Sequence, residues 1–167
     1  MPDPEPTRVI CNTSPIYYLN RIGLLDLLRL LYHQIAVTDA VVGELEAGRS
    51  AGLPVPDISK LPWVRITNAA RFTVPDVWPE LGAGESSTIL LALEASERAI
   101  VILDDLTARR LAAWKRLRIT GTAGVLLKAK QRRLISEVKP SLDKLLDQGF
   151  RLKRELYEHI LSLAHEL

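Results

Sequence analysis

An α/β fold, with helices on both faces of a central, mainly parallel sheet of about four to five strands, is predicted by three features of the 167-residue chain. Short β-branched apolar runs alternate with longer amphipathic ones, the order expected of β-crossover-β units. The segments between successive strand-like runs are long enough to hold a crossover, as parallel pairing requires. The composition, 47% hydrophobic and 25% charged, is that of an ordinary globular chain, which excludes a disordered chain or a fibre. Apolar runs such as Leu24-Leu25-Asp26-Leu27-Leu28-Arg29 are interrupted by charge, so no membrane span is expected. The opening MPDPEPTR lacks the basic and apolar regions of a secretory signal, and a cytoplasmic protein is expected. One cysteine, Cys11, leaves no internal disulfide and no paired-cysteine metal motif.

The elements follow in order. Arg8-Val9-Ile10-Cys11 reads as the first strand, stopped by the turn formers Asn12-Thr13-Ser14-Pro15. Leu24 to Tyr32 places leucines at helical spacing around Asp26 and Arg29. Gln34 to Thr38 is a second strand, after which Asp39 is expected to cap a helix with Val41, Val42 and Leu45 inward. Residues 50–78 are loop-rich, broken by Pro54, Pro56, Pro62 and Pro75, with one strand at Val64-Arg65-Ile66. Gly82-Ala83-Gly84 opens a helix through Leu93, and Ala99 to Leu103 is the clearest strand. A basic helix from about Thr107 to Leu117, a strand at Ile119-Thr120 and a turn at Gly121-Thr122-Ala123-Gly124 come next. Two or three helices end the chain, broken near Pro140 and Gly149. The expectation is one domain over 1–167, with 136–167 a helical extension packed on it.

Charge is unevenly divided. Residues 1–105 hold 8 Lys+Arg against 14 Asp+Glu, whereas 106–167 hold 14 against 6. Between Leu106 and Ser136 nine residues are basic and none acidic, a block suited either to a polyanion or to a solvated face.

In open parallel sheets ligands sit beyond the carboxyl ends of the strands, where strand order reverses. The polar residues after the two clearest strands are Asn12-Thr13-Ser14 and Asp104-Asp105, and Glu44 and Glu85 can reach the same rim from helices. Carboxylate and amide oxygens suit a hard cation such as Mg²⁺ or Mn²⁺, and close carboxylates repel unless a cation or proton intervenes. Each residue also has a structural reading: Asp104-Asp105 as a helix cap, Glu85 as a first-turn acid, Glu44 as a solvated charge, Asn12 and Ser14 as turn formers. Other chemistries find no support. His33, His159 and His165 have no zinc-ligand spacing, no serine lies in G-x-S-x-G, and neither glycine cluster makes a nucleotide-binding loop. Cys11 reads as a small buried residue.

The segments VICNTSPIYYLNRIGLLDLL, TDAVVGELEAG, LGAGESSTILLAL, VILDDLTARRLA and ITGTAGVLLKAKQ resemble the PIN-domain superfamily. They are similar in particular to a prokaryotic branch of predicted nucleic-acid-binding PIN proteins. The resemblance runs from about Val9 to Leu161 and implies a three-layer α/β/α sandwich. It also implies a metal-dependent single-strand ribonuclease, frequently the toxin of a toxin–antitoxin pair, as in VapC-like proteins. By motif it carries the first acid onto Asn12, the helix glutamate onto Glu44, the third acid onto Glu85 and the fourth onto Asp104 or Asp105. Thr13 and Ser14 fall at the neighbouring hydroxyl positions. Asn12 departs from the Asp common in these nucleases and offers a neutral oxygen.

The expected site is therefore catalytic at Glu44, Glu85, Asp104 and Asp105, with Mg²⁺ or Mn²⁺ held by Asn12, Glu85, Asp104 and Asp105. Arg109, Arg110, Lys115 and Arg116 would hold the RNA backbone from one helix after Asp104-Asp105. Leu24–Tyr32 and Tyr157–Leu163 offer apolar surface for a homodimer or an antitoxin, or simply pack in the core. Two other readings stay open: a PIN-fold nucleic-acid-binding or regulatory module silenced by Asn12, and a metal-dependent phosphatase.

Overall fold

Residues 8–72, 78–95 and 98–167 are described by the structure, a computed structural model. The proline-rich opening and Pro75 lie outside the described residues. Five strands, β1 (Arg8–Cys11), β2 (Ile35–Thr38), β3 (Val64–Thr67), β4 (Ala99–Ile102) and β5 (Arg118–Thr120), form one sheet. All described pairings are parallel and the order is β3-β2-β1-β4-β5. The chain thus builds outward from β1 to β3, then returns to lay β4 against the other side of β1. That reversal opens a crevice between the carboxyl ends of β1 and β4.

Strand alternation divides the core into two layers. Val9 and Cys11 of β1, with Ile35 and Val37 of β2, join the larger cluster. It is filled by α1 (Thr13–Arg21), α2 (Leu27–Tyr32), α3 (Asp39–Ser50), α6 (Thr122–Gln131), α7 (Lys139–Asp147) and α8 (Arg154–Leu163). Ile10, Ala36, Val101 and Leu103 point the other way, onto α4 (Ala83–Glu94) and α5 (Leu106–Trp114). The result is the three-layer α/β/α sandwich that the resemblance implies.

Three local expectations are corrected. The turn at Asn12-Thr13-Ser14-Pro15 is instead the start of α1. The same short polar residues favour turns and helix starts, and Pro15 lies in the first turn, where a missing N–H costs nothing. Thr38, not Asp39, caps α3: its hydroxyl accepts from Val41 N (3.3 Å) and bonds Ser87 Oγ (2.7 Å). Asp39 accepts from Ala40 N and Ala69 N. The basic helix ends at Trp114, because Arg116 takes a left-handed backbone, φ 61°, that reverses the chain into β5.

The leucines of residues 24–32 are largely committed to the core: Leu27, Leu28 and Leu31 are buried and Leu30 is exposed. Among the described residues no helix is long and apolar enough to cross a membrane.

Residues from the end of the chain close the larger core, and Glu166 fastens them. Its carboxylate accepts from Lys130 Nζ (2.8 Å), Val138 N (2.6 Å) and Lys139 N (2.7 Å), and Lys130 also donates to the Ala164 carbonyl. Burial pushes the Glu166 carboxyl up, but the Lys130 ammonium and the two backbone donors outweigh it and hold it below the usual carboxylate range. A depressed carboxyl stabilises the fold above its unfolded value, and that contribution disappears as pH falls through the folded value. Glu166→Gln is therefore expected to cost about 1–2 kcal/mol at pH 7 and progressively less below about pH 4.5. Urea melts of both proteins at pH 7 and pH 3.5 check this; an equal deficit at both would remove the charge from the explanation.

Candidate active site

Three helices begin at the crevice without an N-terminal side-chain cap of their own. Asn12 precedes α1 and makes no capping bond, and the residues preceding α4 and α6 are Gly82 and Gly121. Helix starts expose unpaired N–H groups and favour negative charge. Carboxylates from elsewhere in the chain meet two of them. Glu44 Oε1 accepts from Gly84 N in α4 (2.9 Å), and its other oxygen accepts from the Thr13 hydroxyl. Asp104 Oδ1 accepts from Thr122 N in α6 (2.7 Å), while Oδ2 accepts from Thr122 Oγ1 (2.6 Å) and Ser14 Oγ (2.9 Å). Adjacent hydroxyls on α1, Thr13 and Ser14, therefore tie the two acids to either side of one rim.

The glycines leave room for this arrangement. A Cβ on Gly84 would fall 2.8 Å from Glu44 Oε1, and one on Gly82 would fall 2.6 Å from Glu85 Oε2 and 3.8 Å from Glu44 Oε1. Glu44 and Glu85 thus share the space before Gly82. The Glu85 side chain makes no hydrogen bond or ion pair with another described residue. Across the rim, a Cβ on Gly121 would lie 2.9 Å from both Asp104 Oδ1 and Arg109 Nη1.

Asn12 is 1% exposed, and its Oδ1 has no hydrogen-bond partner among the described residues. A buried oxygen without a donor is costly, and a hard cation is one group that would satisfy it. The donor set of amide, hydroxyl and carboxylate oxygens, with no described sulfur or imidazole ligand among them, fits such an ion in kind. Among the described residues, however, no three Asp, Glu, His or Cys side chains are gathered closely enough to form a cage.

Asp105 does not join Asp104. It is the N-cap of α5, accepting from Ala108 N (2.8 Å), and is exposed. The consecutive acids divide because an extended backbone turns successive side chains to opposite sides.

The four basic residues are also divided. Arg109 stays at the rim, where Nη1 donates to the Leu103 carbonyl (2.7 Å), and Arg110 is exposed on α5. Lys115 and Arg116 lie past the end of α5, about 13 Å along the helix from its start. They line a depression with Ala99 and Arg118, at the amino ends of β4 and β5. The expectation that all four basic residues lie on one helix is overturned, because α5 ends at Trp114. Lys115 lies over the ring of Trp114, which is 74% exposed.

Thr122 and the close-approach glycines escaped the sequence reading. A readable signal was present: Gly82 and Gly121 stand where a helix usually begins with Ser, Thr or Asp, so an acceptor had to come from elsewhere. Cys11 is fully buried; burial, and then the Asp104 charge, push its thiol well up, which removes it as a nucleophile.

A parallel sheet whose switch point carries these acids defines a PIN-type, nuclease-like fold. The model of the DUF3368 family, described as a PIN domain, matches residues 8–166, and the chain belongs to that family. PIN domains are generally nucleases and typically use divalent metals. No curated protein and no solved structure matches the chain.

Proposed function

We propose that this chain is a divalent-metal-dependent endonuclease of single-stranded RNA. The observation that carries the reading is the rim itself: Glu44 and Asp104 held at two helix starts, Glu85 beside Glu44, and the buried oxygen of Asn12, which has no hydrogen-bond partner among the described residues. Asn12, Glu85 and Asp104 would hold Mg²⁺ or Mn²⁺, with Glu44 beside them. When bound, such an ion neutralises charge on the scissile phosphate and makes water a better nucleophile. The protein's own groups do the positioning. Ser14 and Thr122 fix the orientation of Asp104, and Gly84 N–H and Thr13 fix Glu44. Arg109, anchored through one nitrogen, has further donors to neutralise a backbone phosphate.

On the family resemblance alone, the reading extends to a toxin countered by an antitoxin protein and to a homodimer. A second reading, a nucleic-acid-binding module without turnover, is favoured by the neutral Asn12 and the lack of three gathered acids among the described residues. One experiment separates them: labelled single-stranded RNA incubated with Mn²⁺, Mg²⁺ or EDTA, using wild type and Glu85→Gln. Cleavage that needs the metal and is lost in the variant is expected. Binding without cleavage selects the second reading, and turnover of a small phosphoester alone would select a phosphatase.

A further inference from the structure

Beside the rim lies a cleft of about 270 Å³, walled by the edge strand β5 and by α8. It is near the lower end of the ~300–1,000 Å³ usual for small-ligand sites. Its lining includes Asp104 and Arg109 from the rim and Arg151 from the loop before α8. Its wall is apolar, formed in part by Leu156, Ile160 and Leu163. These positions recur at helical spacing and form one stripe on α8. Leu156 and Leu163 remain 49% exposed, whereas Ile160 between them lines the cleft from the buried core that it shares with Leu161 and Ala164.

We infer that the cleft is a nucleotide subsite, taking one base of the RNA against the α8 stripe and an adjoining phosphate between Arg109 and Arg151. The inference rests on the nuclease reading for the strand's identity, but its evidence is separate. A nucleotide combines apolar ring faces with an anionic phosphate, and the cleft combines an apolar wall with two guanidiniums in its lining. Arg is suited to that task because its planar donors engage phosphate oxygens in pairs. The cleft also shares Asp104 with the rim, so a base seated there would fix which phosphodiester reaches the acids. Arg151 and Leu156 would then determine specificity, the first from the loop before α8 and the second from α8 itself.

The test reads binding in EDTA, independently of any chemistry. Methyl NMR spectra of the full chain are recorded with each 5′-ribonucleotide, with inorganic phosphate, and with a leucine-rich amphipathic peptide. Nucleotides are expected to shift the Leu156, Ile160 and Leu163 methyls, whereas phosphate is not. Affinity for a labelled hexaribonucleotide is expected to fall roughly tenfold in Arg151→Gln, the scale of one lost charge-assisted hydrogen bond. A similar fall is expected in Leu156→Glu, at an exposed first-turn position where an acid suits the helix. Equal shifts with phosphate alone, shifts with the peptide only, or unchanged affinity in both variants would overturn the subsite. Nucleotide-dependent shifts in a protein that never cleaves RNA would keep the subsite and remove the nuclease. Metal-dependent cleavage without such shifts would do the reverse.

Discussion

Asp104→Asn is expected to cleave single-stranded RNA about 10²–10³-fold more slowly than wild type, with stability changed by less than about 1 kcal/mol. The substitution is nearly isosteric, and the hydrogen bonds survive it. The remaining Asn oxygen still accepts from Thr122 N, and the hydroxyls of Ser14 and Thr122 rotate to accept from the new amide. What is lost is one negative charge at the rim, so the variant separates charge from architecture. Single-turnover cleavage at saturating Mn²⁺, beside a thermal melt, makes the comparison. A rate within threefold of wild type would reduce Asp104 to a cap for α6.

Asn12→Asp is expected to make stability depend on metal. The side chain is buried and its oxygen has no donor among the described residues, so a carboxylate there is an uncompensated charge. Such charges cost about 3–5 kcal/mol, roughly 6–20 °C in melting temperature for a domain of this size. Divalent metal opposes that cost, because a charged oxygen binds a hard cation more strongly than an amide. Binding at a hundred times the dissociation constant returns about 2.7 kcal/mol. Calorimetric melts of both proteins in EDTA and in Mn²⁺ test this. The variant is expected to melt well below wild type in EDTA and to recover most of the gap in Mn²⁺. An equal metal-induced shift in both proteins would place residue 12 beyond the reach of the ion.

Several features were legible along the chain because their causes are local. The β-branched runs at 8–11, 35–38 and 99–102 can pair only as strands, and leucines at helical spacing have one buried face. The rim could be approached from sequence because strand ends carry the ligands of parallel sheets, a rule that needs only strand positions. Where local signals serve two structures, they failed. Asn12-Thr13-Ser14-Pro15 suits a turn or a helix start, and only the packing of Ile16 and Leu19 into the core favours the helix. Asp104 and Asp105 are equal in composition, yet only the partner across the sheet, Thr122, distinguishes the residue at the rim from the cap.

The basic block shows the limit most plainly. Its residues are neighbours in sequence, but a helix in a parallel sandwich must run from one edge of the sheet to the other before the next strand begins. Arg109 therefore lies at the acidic rim, and Lys115 and Arg116 lie at the far edge. In the same way, Arg151 is about forty residues from Arg109 along the chain, yet both line the same cleft. Charge density can be counted from sequence, but the edge that receives each charge depends on crossover length and direction, which only the assembled sheet determines.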